Sequence, residues 1–487
     1  MKKILCILIT LIFFSVENLF AACTGESPTW YCTTDTCPTQ VEVNACISGA
    51  TSGNTINIAA GTYTWTSYVT IPADKTIKLI GAGSSLTIIN SETMFVNMYS
   101  DNSRLSGFRF NRLTGGTDAT FVEVRGVGFR IDHNYMDDAN YETYWSLCVG
   151  ANAANTTYLP EGVVDSNYLN HCKVGTGGST NFTKDNGFWA EPSVIGTPKT
   201  VYFEDNTIDR GNVNSDIVDS NYAGSYVVRY NNLTLWSNVQ AHSLQGPTAR
   251  GTKSWEIYGN KFTYPTGGGG VVAFLRGGTG MVYNNYVTGG YSTYYIDFDN
   301  MRSFTAYGTN PSSGKCDGTS NWDGNVLENG WPCRDQIGRG PDTGTDESAI
   351  GKATSSEPAY VWMNKRSTGV TISARVVNGT GDWIAADRDY YNYSASFNGS
   401  SGVGCGTLAN RPATCTTGVA YWATNQSCFD LTPMVGANPS TPISGTLYKC
   451  TSTDTWEAYY TPYTYPHPLR VQKFTGNIMI GGAGLFN

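Results

Sequence analysis

The sequence predicts an all-β protein whose central part is a right-handed parallel β-helix, a solenoid built from stacked coils. Three observations support this prediction: a composition that disfavours helices, a β-type motif that recurs along the chain, and an even set of cysteines after the first residues. Only 14% of the 487 residues are charged, whereas Gly (55) and Tyr (31) are plentiful. Helix-rich folds draw on Ala, Glu, Lys and Leu, so this composition favours strands and turns.

The composition also limits the class of partner. Hydrophobic residues make up 40% and aromatic residues 13% of the chain, enough to bury a large core, so disorder is not expected. There are 31 basic and 39 acidic residues, which gives a net charge of −8. Phosphate binding needs a basic face, so nucleic acid is a poor candidate partner.

The first residues have the pattern of a secretory signal peptide. Two lysines precede an apolar run over residues 4–14, and two alanines follow at positions 21 and 22. Residues 1–21 are therefore expected to be removed on export, which leaves a secreted or cell-surface protein. The run is too short for a membrane span, and no later stretch approaches about 20 apolar residues. Lipidation at Cys23 is the alternative to a plain exported chain.

The thirteen cysteines indicate the same oxidising compartment. One of them, Cys6, lies in the signal segment, and the others form an even set, as disulfide-bonded proteins have. No Cys-x2-Cys pair is present, which disfavours a zinc site. Cys148 and Cys172 are about one coil apart, so we expect a disulfide between them. The other cysteines that we expect in disulfides are Cys316, Cys333, Cys405, Cys415, Cys428 and Cys450.

A short β-type motif recurs between residues 100 and 290, and each copy ends in an Asn flanked by apolar residues. The Asn residues of the motif are Asn111, Asn134, Asn167, Asn206, Asn232, Asn260 and Asn285. A unit of about 25 residues cannot bury its inner face alone, and stacking the units one per turn buries it. Successive Asn side chains are then expected to hydrogen-bond in a column. A β-sandwich or propeller is the alternative, but hairpin signals are scarce over residues 50–300.

Three stretches at the start of the repeat region carry a family resemblance. They are AAGTYT at 59–64, VTIP at 69–72 and IKLIGAG at 77–83. They resemble the first coils of pectin-lyase-like proteins, and the resemblance covers about residues 50–310. It implies the right-handed β-helix fold, whereas function has to be argued from the site.

The pattern divides the chain into five parts. They are a signal peptide (1–21), a disulfide-bonded N-terminal cap (22–50), the parallel β-helix (51–310), an irregular extension pinned by a disulfide (311–400), and a small β-meander module with a tail (401–487). The N-terminal cap is expected to protect the open edge of the first coil. The module is expected to be appended to the β-helix or to cap its other end.

Two acid–base residues are expected to be neighbours on adjacent turns. Asp216 follows Asn206 by ten residues, and His242 follows Asn232 by ten residues. Equal offsets from the bend place residues one above another, about 4.8 Å apart, so the two side chains should hydrogen-bond. A carboxylate beside an imidazole suits a general acid or base. A structural Asp–His pair that joins two coils is the alternative interpretation.

Arg250, Arg276 and Arg302 recur once per turn. Three guanidinium groups in one column repel one another unless something anionic faces them. One interpretation is an internal ladder of ion pairs. The internal partners available for such a ladder are Glu256, Asp297 and Asp299. The other interpretation is a track for the uronate, sulfate or phosphate groups of an extended polysaccharide.

The stretch RIDHN at residues 130–134 resembles the Asp-His-Asn stretch of pectate lyases, in which the Asp coordinates calcium. The resemblance implies a calcium ligand at Asp132 alone. Asp137 or Asp138 would have to supply further oxygens, because Ca²⁺ takes six to eight of them. No later Arg-x-Pro-x-x-Arg stretch supplies the catalytic arginine of that family. A coil with a bend Asn also produces the same letters, which is the alternative interpretation.

Aromatic residues near the coil connections are a second indication of carbohydrate. Tyr226 and Trp236 are expected to stack on sugar rings, and packing of loops onto the coil is the alternative. The chain contains no Gly-x-Ser-x-Gly motif, phosphate loop or nucleotide fingerprint. A serine nucleophile and a nucleotide cofactor are therefore not indicated.

Two hypotheses about function follow. In the first, an exported protein binds or cleaves an extended acidic polysaccharide, by β-elimination rather than hydrolysis. Asp216, His242 and Arg276 would then be catalytic, while Arg250 and Arg302 would bind substrate together with Trp236 and Tyr226. In the second hypothesis the chain is a non-catalytic adhesin or fibre protein of the cell surface.

Overall fold

The computed structural model describes most of the chain between residues 24 and 471. The described residues are 24–27, 29–32, 39–113, 120–139, 147–152, 159–177, 188–211, 216–234, 238–242, 251–264, 270–289, 294–299, 335–343, 353–377 and 384–471. They form an all-β protein with long parallel sheets, an arrangement consistent with a β-helix. The predicted signal peptide and the pair Cys316 and Cys333 lie outside the described residues.

Three long sheets, A, B and C, share most of the strands. Sheet A has 13 strands, in the order β1 (Thr24–Glu26), β2 (Thr29–Cys32), β3 (Thr55–Ile58), β6 (Lys78–Gly81), β9 (Arg104–Ser106), β12 (Val127–Asp132), β15 (Glu161–Asp165), β18 (Val201–Glu204), β21 (Ser225–Arg229), β24 (Ser254–Tyr258), β27 (Thr279–Tyr283), β32 (Ala359–Trp362) and β36 (Tyr390–Asn392). Sheet B has 11 strands, in the order β34 (Thr371–Ile372), β33 (Asn364–Arg366), β28 (Tyr286–Gly289), β25 (Lys261–Tyr264), β22 (Asn232–Thr234), β19 (Thr207–Asp209), β16 (Tyr168–Asn170), β13 (Tyr135–Asp137), β10 (Arg109–Arg112), β7 (Thr87–Ser91) and β4 (Gly61–Trp65). Sheet C has 10 strands, in the order β35 (Ala374–Val377), β29 (Tyr295–Asp299), β26 (Val271–Leu275), β23 (Val239–Ala241), β20 (Val218–Asn221), β17 (Lys173–Gly177), β14 (Leu147–Asn152), β11 (Thr120–Val124), β8 (Val96–Met98) and β5 (Val69–Ile71).

Over most of their length, the sheets are built by strands that enter A, B and C in turn. Each time the chain returns to a sheet, the new strand therefore pairs with the strand that the chain formed there one turn earlier. In sheet A, for example, β15 pairs with β12, and β18 pairs with β15. The pairs along the three sheets are parallel, except the antiparallel pairs at the ends, β1 with β2 and β33 with β34. Side chains alternate across each strand, so inward positions form rows such as Ile131, Val164 and Phe203. These rows build one continuous apolar core between the sheets.

A column of asparagine side chains follows the corner between sheets A and B, as predicted. The amide oxygen of Asn206 accepts hydrogen bonds from both the backbone N–H and the side-chain amide of Asn167, each at 3.0 Å. The residues that precede the column members, such as Ser166 and Asp205, have left-handed backbones with φ of 57° and 55°. The column consists of Asn134, Asn167, Asn206, Asn231, Asn260, Asn285 and Asn364.

The column differs from the predicted one at three positions. The member in the fourth turn is Asn231 rather than Asn232. Asn111 lies within β10, where its amide donates to Asn90, because the position in register with Asn134 is occupied by Phe108. The parallel sheets also continue past residue 310, where the β-helix was predicted to end. A further turn follows, with β32 in sheet A, β33 in sheet B and β35 in sheet C, and it adds Asn364 to the column.

The N-terminal end is covered by an α-helix at Gln40–Gly49. Thr39 and Glu42 form a capping box at its start, a signal that is readable in the sequence. Asn44 of this helix accepts from the backbone N–H of Thr70 at 2.9 Å and donates to the carbonyl of Tyr68 at 3.2 Å. The helix therefore satisfies edge groups of sheet C that a further strand would otherwise satisfy. Among the described residues, no helix is long and apolar enough to cross a membrane.

A separate sheet of four strands forms the core of the C-terminal module. Its strands are β37 (Val403–Gly406), β38 (Ala420–Ala423), β39 (Thr446–Ser452) and β40 (Thr455–Tyr460). The module also contains the 3-10 turns Leu408–Asn410 and Thr432–Met434 and the helix Pro468–Val471. A separate pair of strands, β30 (Arg339–Thr343) and β31 (Ala353–Ser356), precedes the module in the chain. Strands β37 and β38 are parallel, so the sheet is not a simple meander. The module packs on the outer face of sheet A, where both contribute to a second apolar core.

Three disulfides connect described residues, and all of them use cysteines that were predicted to be paired. Cys148 and Cys172 join β14 to the residue before β17, with Cα atoms 5.3 Å apart. The other two bonds, Cys405–Cys428 and Cys415–Cys450, lie within the C-terminal module. Disulfides of this number are consistent with an oxidising compartment.

Candidate functional site

The outer face of sheet C carries a cluster of charged and polar side chains, here called the sheet C cluster. Its members are Lys173, Asp216, Asp219, Gln240, His242 and Arg276. They come from four consecutive pairing positions, because β17, β20, β23 and β26 are neighbours in the sheet. Parallel pairing brings equivalent ends of these strands to the same edge, which gathers side chains that are distant in sequence.

A lysine joins the two carboxylates of the cluster. Lys173 Nζ donates to Asp216 Oδ2 at 2.9 Å and lies 3.6 Å from Asp219 Oδ2. Only 3% of the Lys173 side chain and 1% of the Asp216 side chain are exposed, so this ion pair is buried. Such a pair is costly to break, because removal of one partner leaves an uncompensated buried charge.

The imidazole of His242 lies between a carboxylate and a guanidinium. Its Nε2 is 2.9 Å from Asp219 Oδ2, and its Nδ1 is 2.8 Å from Nη2 of Arg276. A guanidinium only donates, so in the tautomer in which Nε2–H donates to Asp219, Nδ1 accepts from Arg276. Nη2 of Arg276 and Nε2 of Gln240 also lie 3.0 and 3.1 Å from His242 Nε2. The His242 side chain is 18% exposed, which makes it the most accessible member of these ion pairs.

The two carboxyl groups of the cluster have pKa values that move in opposite directions. Burial raises the pKa of Asp216, the charge of Asp219 raises it further, and Lys173 only partly offsets this. Burial also opposes ionisation of Asp219, but the hydrogen bond from His242 and nearby positive charges lower its pKa below the usual value. Divergent pKa values in a pair of carboxyl groups are typical of sites that transfer protons.

The predicted contact between Asp216 and His242 is wrong in register. Asp219 is the carboxylate beside the imidazole, and Asp216 is linked to it through Lys173. The reason is that the two connections that lead from the corner to sheet C differ in length. Asn206 is in register with Asn231 at the corner, but the residues that pair in sheet C, Val218 and Val239, do not lie at equal distances along the chain from these two asparagines. Residues that lie equally far along the chain from the bend asparagine are therefore not always neighbours in sheet C.

Of the predicted substrate-binding residues, the structure describes only Tyr226. Tyr226 is buried in the core, and its hydroxyl donates to the carbonyl of Gln240 at 3.1 Å, so the ring does not stack on a sugar. Its burial follows from its place in β21 of sheet A, where it projects between the sheets. Arg250, Arg302 and Trp236 lie outside the described residues, so the predicted column of arginines stays a prediction.

The proposed internal partners of that column bind other groups. Asp297 accepts from Arg375 at 2.7 Å, on the outer face of sheet C. Glu256 accepts from the hydroxyl of Tyr460 at 2.6 Å, between sheet A and the module. Arg276, by contrast, contacts His242, which places one member of the predicted column in the cluster.

The carboxylate of Asp132 belongs to an ion-pair network. Arg104 donates to both of its oxygens, at 2.6 and 2.5 Å, and Arg130 lies 3.3 Å away. Burial would raise the pKa of Asp132, but hydrogen bonds from His133 and Arg104 and the nearby positive charges lower it to about 2. Asp138 in turn is paired with Arg112 at 2.9 Å. The described residues contain no group of three or more His, Cys, Asp or Glu side chains that could hold a metal ion.

Three members of the cluster were missed by sequence reasoning: Lys173, Asp219 and Gln240. Each lies in a short β-type run, CKVGT, IVDSN or NVQAH, at a position that alternates with apolar residues. The available signal was a charged or polar residue at an outward position of an otherwise apolar strand. It is a weak signal, because outward positions of any strand are often polar.

Comparison of the chain with models of protein families, with curated proteins and with solved structures gives no match. The functional interpretation therefore depends on the geometry of the sheet C cluster and on the chemistry of its side chains.

Proposed function

We propose that this chain is an exported, right-handed β-helix protein of the pectin-lyase-like type that binds and cleaves an extended acidic polysaccharide by β-elimination. The substrate lies along the outer face of sheet C. The observation that carries the proposal is the partly exposed imidazole of His242 between Asp219 and Arg276. Long parallel sheets support it further, because they repeat side-chain positions at a regular spacing along an extended ligand.

β-Elimination needs a group that neutralises the uronate carboxylate and a base that removes the C5 proton. Arg276 supplies the first function, through charge-assisted hydrogen bonds to the carboxylate. When the guanidinium turns from His242 Nδ1 to the substrate, the lone pair of Nδ1 becomes available as the base. Asp219 accepts the Nε2–H bond and stabilises the imidazolium that forms.

The electrons of the C5–H bond then form the double bond between C4 and C5, and the C4–O bond to the departing sugar breaks. The proton taken by His242 returns to the departing oxygen or to solvent. Lys173 does not contact the substrate. Its ammonium compensates the charge of Asp216 and Asp219 and keeps Asp219 in place beside the imidazole.

A second candidate function, a non-catalytic surface protein, is favoured by one observation. Lys173 already forms an ion pair with Asp216 inside the protein, and Asp219 is bonded to His242. Such pairing is what a purely structural contact between coils requires. In that case the sheets serve as a rigid support that displays the C-terminal module.

Turnover assays distinguish the two functions. The protein is incubated with a panel of uronate-containing polysaccharides, and formation of unsaturated uronate is followed by absorbance. His242→Ala is expected to abolish turnover and to leave binding intact, because the imidazole acts as base. Arg276→Ala is expected to weaken binding about tenfold or more, since a charge-assisted hydrogen bond is lost.

Arg375→Ala is the matched control, because this arginine lies on the same sheet but pairs with Asp297. It should keep both turnover and affinity. Absence of unsaturated product across the panel, with the wild-type protein folded, would reject the lyase mechanism and favour the surface protein.

A further inference from the structure

The sheet C cluster holds one buried amine against two carboxyl groups. Lys173 Nζ is 2.9 Å from Asp216 Oδ2 and 3.6 Å from Asp219 Oδ2. Among pairs of described residues, no other lysine nitrogen lies within 4.0 Å of a carboxylate. The hydroxyl of Tyr226 donates to the backbone carbonyl of Gln240, another member of the cluster, at 3.1 Å.

Burial changes the preferred state of such a pair. Desolvation penalises the ammonium and the carboxylate together, and transfer of one proton from Nζ to the carboxylate removes both charges. An amine and a carboxylic acid are then held in contact, in a fixed geometry and with water largely excluded. Fixed contact of this kind raises the effective concentration of reacting groups by many orders of magnitude.

Asp219 is placed to move the protons. Its Oδ2 faces both Lys173 Nζ and His242, while its Oδ1 is buried and makes no hydrogen bond to any described residue. The lowered pKa of Asp219 keeps it ionised, and the raised pKa of Asp216 favours the acid form that nucleophilic attack requires. The two carboxyl groups therefore suit different roles, one as proton acceptor and one as electrophile.

We propose that Lys173 and Asp216 join in an intramolecular isopeptide bond, with Asp219 as the proton-transfer group. Once a proton has passed from Nζ to the carboxylate of Asp216, the electron pair of the neutral amine attacks Cγ of the acid to form the C–N bond, and Asp219 takes one proton from the nitrogen as that bond forms. The C–OH bond then breaks, and the proton held by Asp219 passes to the departing hydroxyl, which leaves as water. The products are one amide and one water molecule, so no oxidant or other reactant is needed.

The position of the bond gives it a structural role. Lys173 follows Cys172, whose disulfide with Cys148 already joins β14 to the turn of β17. The isopeptide bond joins β17 to the segment that enters β20, so two covalent links in series connect three neighbouring strands of sheet C. The reaction removes the ammonium that faces Asp219, so Asp219 is afterwards held in place by its contact with His242. Formation of the bond does not require polysaccharide cleavage, and the two proposals are tested by separate measurements.

Peptide mass spectrometry tests the proposal on the full chain. The reduced and alkylated protein is digested, and the peptides that contain Lys173 and Asp216 are expected as one cross-linked species, lighter than their sum by one water. Asp216→Asn is expected to give a cross-linked species of the same mass as the wild type, because the amide loses ammonia where the acid loses water. Lys173→Arg should give only linear peptides.

Two further variants make the test specific. Asp219→Ala should yield linear peptides in a folded protein, as judged by its circular dichroism spectrum. Lys253→Arg, at another buried lysine whose ammonium donates to the carbonyls of Phe188 and Glu191, should keep the cross-link. Linear peptides from the folded wild-type protein would overturn the proposal and leave a buried ion pair. A cross-link that survives in Asp219→Ala would overturn the role of Asp219.

Discussion

The outer faces of sheets A and C both carry rows of charged side chains, but only sheet A is covered by the C-terminal module. On sheet A, Glu204 accepts from Arg229 and from Arg470 of the helix Pro468–Val471, and all the acidic side chains bonded to Arg470 are buried. Arg229 also donates to backbone carbonyls of the module, at Tyr463 and Thr464. On sheet C, the cluster ends at a partly exposed His242.

Aromatic side chains strengthen the contrast. On sheet A, Tyr283 stacks on Tyr258 and on Trp362, with ring centroids 4.7 and 4.2 Å apart. Trp422 of the module contacts both Tyr283 and Trp362. The outer face of sheet A is thus the floor of a second core, which explains why its charges must be fully paired.

The difference teaches that a row of charges on a parallel sheet is not a site by itself. Where another part of the chain covers the row, as the C-terminal module covers sheet A, the charged side chains bind the covering segment. Where a side chain in the row stays accessible, as His242 does, the same types of residue are available for chemistry. Burial, more than residue type, therefore separates the two faces, and the following four predictions test this statement.

The largest effect is expected for Arg229→Ala. The substitution leaves Glu204 with one cation fewer and removes the donors to Tyr463 and Thr464. We expect a loss of about 3–5 kcal/mol in the free energy of unfolding, because one partner of a buried ion pair is removed. Urea denaturation measures this loss. Arg125→Ala, which breaks a partly exposed pair with Glu123 on sheet C, should cost less than about 1 kcal/mol.

Part of this fold could be predicted from the sequence, because apolar alternation and the bend Asn encode which residues face inward. The asparagine column and the disulfide Cys148–Cys172 follow from that encoding. The turn containing Asn364 could not be found in this way, since it follows Asn285 in the column only after an insertion that breaks the spacing.

The candidate site was harder to predict for a different reason. Periodicity gives the order of the strands but not the length of each connection, so Asp216 was placed beside His242 where the structure has Asp219. The docking of the module depends on complementary side chains, and in the sequence Tyr283 resembles any other aromatic residue of a strand. Neither feature has a local signal.

The second prediction concerns the asparagine column, which borders sheet A. The amide of Asn260 donates to the carbonyls of Val228 and Tyr258 and to Asn285, and it accepts from Asn231. Asn260→Ala leaves several buried groups without partners, so we expect a loss of about 2–3 kcal/mol in the free energy of unfolding.

Asn111→Ala is the control for the column, because Asn111 is half-buried on sheet B and bonds to Asn90 outside the column. It should cost about 1 kcal/mol or less. Equal losses for the two variants, measured by thermal and chemical denaturation, would mean that the buried column has no special weight in stability.

The third prediction is a pH dependence at Asp132, at the end of the covered rows of sheet A. Its pKa is lowered from 3.8 to about 2, so the folded state favours the ionised form. Asp132 therefore contributes about 2 kcal/mol of stability above pH 4, and this contribution is lost as the pH falls toward about 2. Asp132→Asn should be less stable than the wild type at neutral pH, and the difference should disappear near pH 2. Denaturation curves across this range measure it, and a difference that is constant with pH would contradict the prediction.

The smallest effect is expected for the pair Arg375–Asp297 on sheet C. Its atoms are 2.7 Å apart, close to the 2.5 Å between Arg229 and Glu204, and the guanidinium also lies over the ring of Tyr295. The Arg375 side chain is 44% exposed, however, so water screens the charges and the ordering of two side chains offsets much of the attraction. A double-mutant cycle with Arg375→Ala and Asp297→Asn should give a coupling energy below about 1 kcal/mol that shrinks as salt is added. A coupling energy above about 2 kcal/mol, similar to that of a buried pair, would show that short distance and not burial decides the strength of these contacts, and the distinction between the two faces would then fail.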